Sequence, residues 1–175
     1  MSPEITDLRH RLKAASHEPR RKELVDIARS LEYASLELER LPEEIFAVYT
    51  DVLSTPSFCA APGIDEFIAG LFNDFAKLSP QQQECLKTLF LTHGNLFAHP
   101  MLRISVGDLI ARKFPDNVAL ALFSSMWATG SEALQDIAYS GAQVLSRLFP
   151  ASGQSRDKLR KLGELMKIEA TKTQS

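Results

Sequence analysis

Cysteine is scarce in this chain, and a long apolar run is missing. Only Cys59 and Cys85 occur among the 175 residues, and two isolated cysteines suit a reducing compartment better than a disulfide scaffold. The longest apolar run, NVALALFSSMWA, is far shorter than the ~20 residues that a membrane-spanning helix needs. The first 22 residues contain no apolar segment like that of a signal peptide. The sequence therefore predicts a cytoplasmic protein with no membrane association.

Motifs that carry catalytic chemistry are also missing. The sequence has no phosphate loop, dinucleotide fingerprint, nucleophile elbow or paired carboxylates in a catalytic context. His93 and His99 flank a connector, HGNLFAH, without the spacing of a zinc site. We expect Cys59, in TPSFCAAPG, to be an accessible loop thiol and Cys85 to lie on a buried helix face. These patterns predict no enzymatic activity, no metal and no cofactor.

The net charge of −2 conceals an uneven distribution of charge. Residues 23–150 contain eight Lys and Arg but sixteen Asp and Glu, whereas residues 1–22 and 151–175 each contain six basic and three acidic residues. An acidic middle favours a basic partner and disfavours nucleic acid. The same surface could simply keep the protein soluble, so the charge pattern leaves both interpretations open.

Four prolines divide the chain at intervals of 35 to 38 residues, at positions 42, 80, 115 and 150. The phrases ARKFP and SRLFP end two of these intervals, and each proline follows an amphipathic segment. Proline ends one helix and fits the first turn of the next. Ser79 and Gln82 form a possible capping box at one such start. The apolar spacing predicts helices at about 3–15, 20–41, 43–54, 64–78, 81–92, 100–113, 116–128, 132–148 and 155–169.

The repeated segments resemble those of the HEAT-like and armadillo-type families. The resemblance rests on LRISVGDLIARKFP, LQDIAYSGAQVLSRLFP and PDNVALALFSSM, and covers about residues 20–150. It implies an all-α fold, a short right-handed α-solenoid of about four antiparallel helical hairpins. The expected division is an N-terminal helix at 1–19, a repeat body at 20–150, a capping helix at 151–170 and a disordered tail at 171–175. Tetratricopeptide repeats have a similar length, but their Trp/Gly/Tyr pattern is absent, and a compact helical bundle is the structural alternative.

Alignment of the second helices on their prolines produces two columns of polar residues, four positions apart. The first column is Asn73, Asp108 and Gln143, and the second is Lys77, Arg112 and Arg147. The resemblance implies that such residues link neighbouring units, and i,i+4 pairs also support a helix locally. A ladder of this kind could instead grip the backbone of an extended peptide. We prefer the structural interpretation.

A set of carboxylates accompanies these columns, together with one tyrosine. The candidate partner-binding residues are Asp65, Glu66, Asp74, Asp108, Asp136 and Tyr139. If the second helices line a concave face, as the resemblance implies, the carboxylates form an acidic groove and the tyrosine supplies an interface contact. A solvated helix face is the alternative for the same residues.

The function predicted from these features is binding of a basic protein partner through an acidic helical surface. One concrete form is an immunity or antitoxin-type inhibitor that masks a cationic toxin. The first alternative is an adaptor or assembly factor that binds a peptide segment. The second is a DNA-binding enzyme like the HEAT-like glycosylases, which the basic ends favour and the acidic middle disfavours.

Overall fold

The computed structural model describes residues 3–167, and this part of the chain is all-helical. Helices account for 79% of it, and residues 3–167 contain no strand. The prediction of an all-α fold is confirmed. The ten α-helices are α1 (Pro3–Ala15), α2 (Arg21–Ser35), α3 (Glu43–Leu53), α4 (Pro56–Cys59), α5 (Asp65–Asp74), α6 (Pro80–His93), α7 (Pro100–Lys113), α8 (Asp116–Ala128), α9 (Glu132–Leu148) and α10 (Gln154–Met166). Short 3-10 turns follow α5 at Phe75–Lys77 and α6 at Gly94–Leu96.

The prolines lie at helix boundaries, as the sequence predicts. Pro42 and Pro115 directly precede α3 and α8, and Pro80 is the first residue of α6. The capping box is confirmed, because Ser79 Oγ accepts a hydrogen bond from the Gln82 amide (3.2 Å) and Gln82 Oε1 accepts one from the Ser79 amide (2.9 Å). These two bonds satisfy amide groups that have no partner within the helix.

Two boundaries differ from the prediction. The helix expected at 20–41 ends at Ser35. Ser35 is fully buried there, its hydroxyl donates to Asp74 Oδ1 (3.0 Å), and its carbonyl oxygen accepts from Lys77 Nζ (2.8 Å). These contacts satisfy the helix end and replace the further turns that helical propensity alone would favour. In addition, the connector expected at 55–63 contains the short helix α4, which has Pro56 at its first position.

The chain divides into two compact units between Leu102 and Arg103, in the first turn of α7. In the first unit, α2 and α5 run in the same direction. Gly63, just before α5, lies against Arg21 at the start of α2, and Asn73 near the end of α5 donates to Glu32 near the end of α2 (3.0 Å). Contacts thus follow the same order along both helices.

The helices α3 and α6 of the first unit also run in the same direction. At their starts Gln82 Nε2 donates to Glu43 Oε1 (2.9 Å) and to the Leu41 carbonyl (3.0 Å). At their ends Ser54 and His93 line one groove. α1 packs against both α2 and α3.

Large aromatic side chains fill the core of the first unit. Tyr49, Phe67, Phe90 and Phe97 are almost completely buried. The rings of Phe90 and Phe97 meet edge to face, with centroids 6.4 Å apart. Gly70 makes room for Tyr49, since a Cβ atom at Gly70 would lie 2.9 Å from the phenol oxygen.

The second unit is built around α8 and α9. The ring of Phe123 lies directly on the backbone of α9, where a Cβ atom at Gly141 would overlap it. α7 and α9 approach just as closely, because a Cβ at Gly107 would be 2.8 Å from the Ile137 carbonyl oxygen. Arg103 near the start of α7 contacts α9 at Asp136, before Ile137 and Gly141, so α7 and α9 run in the same direction.

The helix α10 packs against α8 and α9 and lies within residues 151–170, for which a capping helix is predicted. It buries Leu159, Leu162 and Met166. Arg156 is also buried, and its guanidinium donates to the Ser146 carbonyl near the end of α9 (2.8 Å). The last residues of the predicted capping helix, 168–170, and the predicted tail, 171–175, lie outside the described residues.

Candidate functional site

The six residues predicted to form one acidic groove are divided between the two units. Asp65, Glu66 and Asp74 belong to the first unit, and Asp108, Asp136 and Tyr139 belong to the second. Each set is therefore described within its own unit.

Asp74 is a buried structural residue, and its assignment to an exposed partner-binding surface was wrong. Only 2% of it is exposed, and its carboxylate accepts hydrogen bonds from Ser35 Oγ (3.0 Å), Tyr49 Oη (3.0 Å) and Lys77 Nζ (2.9 Å). A buried carboxylate is tolerated when it is paired and hydrogen-bonded in this way. The Asp74 network, as we call these four residues, joins α2, α3 and the end of α5.

Tyr49 is the neutral donor of the Asp74 network. Burial, and next the negative charge of Asp74, raise the pKa of the Tyr49 phenol well above its usual value near 10. The phenol therefore keeps its proton and donates a hydrogen bond to Asp74 throughout the neutral range. This arrangement stabilises the packing of α3 against α5. Because the phenol of Tyr49 and the carboxylate of Asp74 bind each other, neither is free to act as an acid or a base.

The two polar columns have different roles in the two units. In the first unit Asn73 and Lys77 connect α5 to α2, through Glu32 and through the Ser35 carbonyl. In the second unit Asp108 pairs with Arg112 one turn later on the same helix (2.7 Å). The remaining members of the columns are half-buried Gln143 and exposed Arg147 on α9.

Asp65 and Glu66 occupy the first turn of α5 and are half-buried. Within residues 3–167, neither carboxylate takes part in a hydrogen bond or an ion pair. The positive end of the helix dipole stabilises carboxylates at this position, which is sufficient reason for their presence. Both nevertheless retain their hydrogen-bonding capacity for a partner.

Asp136 is exposed on α9 and forms an ion pair with Arg103 of α7. The distance from Asp136 Oδ2 to Arg103 Nη1 is 2.6 Å, and Glu132 lies 3.6 Å from the same nitrogen. Only 16% of the Arg103 side chain is exposed, whereas 53% of the Asp136 side chain is. Sequence reasoning missed Arg103 because it lies outside the aligned columns. Its charge offsets part of the acidity predicted for this surface.

Tyr139 lies one turn after Asp136, and 46% of it is exposed. It follows the ion pair along α9, so an aromatic ring and a carboxylate stand on neighbouring positions of one helix face. This agrees with the side-chain types expected at a protein interface.

A second exposed aromatic residue, Tyr33, was missed by the sequence analysis. Tyr33 at the end of α2 is 77% exposed, and Leu36 just beyond the helix is 62% exposed. The helical spacing of α2 could have revealed it, because Tyr33 lies off the stripe of buried positions. These buried positions are Leu24, Ile27, Ala28, Leu31 and Ser35.

A groove of about 600 Å³ runs between α1 and α2 beside Tyr33. Its walls combine apolar and polar residues: Glu4, Asp7, Leu8, Arg11, Ser30, Tyr33 and Ala34. The guanidinium of Arg11 reaches Ser30 Oγ across the groove (3.5 Å), whereas Glu4 and Asp7 are exposed. Carboxylates and an exposed aromatic ring therefore border the same groove.

The two cysteines have the opposite environments to those expected. Cys59 is fully buried, its thiol donates to the Leu53 carbonyl (3.3 Å), and burial raises its pKa to about 12. Cys85 is exposed on α6. The expectation failed because the connector around Cys59 folds into α4, whose last carbonyl group is bonded to the His99 amide (2.9 Å).

The histidines of the 93–99 connector serve local structure. His93 Nδ1 lies 2.8 Å from Thr92 Oγ1, and His99 Nδ1 accepts a hydrogen bond from the Met101 amide (3.3 Å). Across residues 3–167, no three His, Cys, Asp or Glu side chains converge as metal ligands do. In the same range no helix is long and apolar enough to span a membrane.

Comparison of the chain with known protein families, with characterised proteins and with solved structures finds no match.

Proposed function

We propose that this protein is a binding module for a basic protein partner and has no enzymatic activity of its own. The observation that carries the proposal is that exposed tyrosines stand beside carboxylates in each unit. Tyr139 follows Asp136 on α9, and Tyr33 borders a groove that contains Glu4 and Asp7. Tyrosine is enriched among the residues that dominate binding energy, and surface carboxylates steer and orient cationic partners.

We also propose that the protein folds as a short right-handed α-solenoid of HEAT-like hairpins. Three pairs of helices that are equivalent in the repeat run in the same direction: α2 with α5, α3 with α6, and α7 with α9. Stacked hairpins produce this parallel arrangement, because each first helix packs on the next first helix and each second helix on the next second helix. Such stacks offer extended surfaces that suit recognition of another protein.

The buried polar groups support a binding role over a catalytic one. Asp74 is saturated by three donors, and Cys59 is buried with a raised pKa. A nucleophile or a general base needs access to substrate and a pKa near the working pH. Asp74 and Cys59 therefore contribute to stability, and the exposed side chains are the ones that suit contact with a partner.

The concrete form that we propose is a cytoplasmic inhibitor of the immunity or antitoxin type, which covers a cationic surface. Affinity capture from the host lysate at about 50 mM and about 500 mM salt, followed by mass spectrometry, tests this form. We expect one dominant basic protein that is retained at low salt and lost at high salt. Several neutral proteins retained at both salts would contradict the inhibitor and support an adaptor.

Charge-neutralising variants test the predicted carboxylates in each unit separately. Asp65→Asn with Glu66→Gln changes the first unit, and Asp108→Asn with Asp136→Asn changes the second. We expect at least one pair to slow association with the captured partner by about tenfold at low salt, because surface carboxylates act mainly on the association rate.

Matched controls remove the same charge elsewhere on each unit. They are Asp51→Asn with Glu84→Gln in the first unit and Asp116→Asn with Asp157→Asn in the second, all at exposed positions. Surface plasmon resonance gives the rates. If both candidate pairs bind the partner within about twofold of their controls, the carboxylates have no part in binding.

A further inference from the structure

The end of α2 presents the largest exposed aromatic surface of the first unit beside an open groove. Tyr33 is 77% exposed and forms one wall of the groove between α1 and α2, and Leu36 continues the apolar surface with 62% exposure. Scattered exposed hydrophobic residues are normal, but two large ones a single turn apart beside a groove are typical of an interaction site.

The shape of the groove suits a short segment of chain. Its volume of about 600 Å³ is open to solvent along α1 and α2, and Leu8 and Ala34 provide an apolar floor. One large side chain and its neighbours can fill such a space, with Tyr33 covering them on one side. The neighbouring α1–α3 groove is smaller, about 370 Å³, and has Arg9 and Lys13 among its lining residues.

The charges around the α1–α2 groove select the kind of segment. Glu4 and Asp7 line it and are exposed, and Glu37 and Glu39 are exposed in the connector that follows Leu36. The basic residue of the lining, Arg11, is directed at Ser30. The exposed carboxylates of Glu4 and Asp7 thus border the apolar surface, and basic side chains complement them.

We propose that the α1–α2 groove binds a short segment of another protein in which a large apolar or aromatic residue adjoins two or more lysines or arginines. The apolar side chain enters the groove against Tyr33 and Leu8, and the basic side chains lie along Glu4 and Asp7. This inference rests on the proposed function and adds the site and the chemistry of the bound segment.

A phage library of random 12-residue peptides, selected against the full chain at about 50 mM salt, tests the proposal. We expect enriched peptides to contain an aromatic or large aliphatic residue within two positions of at least two Lys or Arg. Enrichment of acidic or uncharged peptides, or the absence of any enrichment, would overturn it.

The enriched peptide, synthesised with a fluorophore, then measures the site by fluorescence anisotropy. Tyr33→Ser is expected to weaken binding at least tenfold, because an exposed aromatic residue at the centre of a site dominates its affinity. Glu4→Gln with Asp7→Asn is expected to weaken it about three- to tenfold at low salt and less at high salt. Far-UV circular dichroism and a thermal melt show that each variant is folded.

Leu165→Ser is the matched control, since it removes a large side chain of the second unit that is 70% exposed and belongs to neither candidate surface. Unchanged binding by this variant and loss by Tyr33→Ser support the groove. If Tyr139→Ser loses the peptide and Tyr33→Ser retains it, the groove proposal fails while the proposed function survives with its site on α9. If the lysate yields no partner and yet the peptide binds at Tyr33, the groove proposal holds and the inhibitor form of the function fails.

Discussion

The two units hold the end of a helix by different means. In the first unit the end of α2 is fixed by a buried anion, since Asp74 accepts from Ser35 and Lys77 donates to the Ser35 carbonyl. In the second unit the end of α9 is fixed by a buried cation, because Arg156 donates to the Ser146 carbonyl. Lysine and arginine suit helix C-termini for the same electrostatic reason in both cases. Among residues 3–167, only the first unit adds a buried carboxylate, which makes its stability depend on a connected set of polar groups.

The largest expected effect is loss of the Asp74 carboxylate. Asp74→Ala removes the buried acceptor that Ser35, Tyr49 and Lys77 share, which should lower the free energy of unfolding by about 3–5 kcal/mol. Asp136→Ala removes the exposed partner of half-buried Arg103 in the second unit, where Glu132 remains near the guanidinium, and should cost about 1–2 kcal/mol. Urea unfolding followed by circular dichroism measures both variants.

Each unit contains its own probe, which localises the effect of Asp74→Ala. In a Cys85→Ser background, labelling of the Cys59 thiol reports unfolding of the first unit, and fluorescence of Trp127, the only tryptophan, reports on the second. Cys59 should become reactive in the Asp74→Ala variant at lower urea than in the parent protein. Equal losses of stability in Asp74→Ala and Asp136→Ala would mean that the buried carboxylate of the first unit is no more important for stability than the exposed carboxylate of the second.

An intermediate effect is expected from filling the glycine positions. Gly141→Ala places a methyl group on the ring of Phe123 in the second unit, and ring and backbone must move apart at a cost of about 2–3 kcal/mol. Gly70→Ala in the first unit meets only the phenol oxygen of Tyr49 (2.9 Å), so about 1–2 kcal/mol is expected. Thermal unfolding should rank Gly141→Ala below Gly70→Ala in melting temperature. The reverse order would show that displacing Tyr49 from the Asp74 network costs more than moving Phe123 away from the backbone of α9.

The smallest effect is a loss of stability at alkaline pH that originates in the first unit. Burial raises the pKa of Cys59 to about 12, whereas an unfolded cysteine ionises near 8.5. Above about pH 8.5 the unfolded state therefore loses a proton that the folded state keeps, and stability falls as the pH rises. The raised pKa of Tyr49 acts in the same direction above about pH 10. We expect about 1–2 kcal/mol less stability at pH 10 than at pH 7 from these groups.

Cys59→Ala provides the control for this pH dependence. Urea unfolding at pH 7, 9 and 10 should show a shallower decline between pH 8.5 and pH 10 in Cys59→Ala than in the wild type. Identical pH dependence in the two proteins would mean that Cys59 ionises alike in the folded and unfolded states.

The sequence was sufficient to place most helices because their starts depend on local chemistry. Pro42, Pro80 and Pro115 mark three helix starts, and Ser79 with Gln82 forms the capping box that the spacing predicts. Such contacts join residues that are close in the sequence, so periodicity and capping rules reveal them. The all-helical class follows from the same local information.

Contacts between distant residues decided the points where prediction failed. The end of α2 depends on Asp74 and Lys77, which lie about 40 residues away in the sequence. No local sequence rule predicts that Asp74 is buried while Asn73 beside it is exposed. Cys59 is buried because α4 forms within a connector rich in Pro, Ser and Ala. Of the two exposed tyrosines, Tyr139 was named as a candidate from its position on α9, whereas Tyr33 was overlooked although it lies off the apolar stripe of α2.

The close approach of α7 to α9 limits how this sequence can change over time. Gly107 leaves space for the carbonyl of Ile137, and Gly141 leaves space for Phe123, so a side chain at either position would displace a neighbouring helix or ring. Exposed positions on the same helices carry no such restriction. A distant relative that has lost every surface residue shared with this chain should therefore still carry glycine at these two positions, 34 residues apart, and that spacing is a sharper mark of ancestry than overall identity.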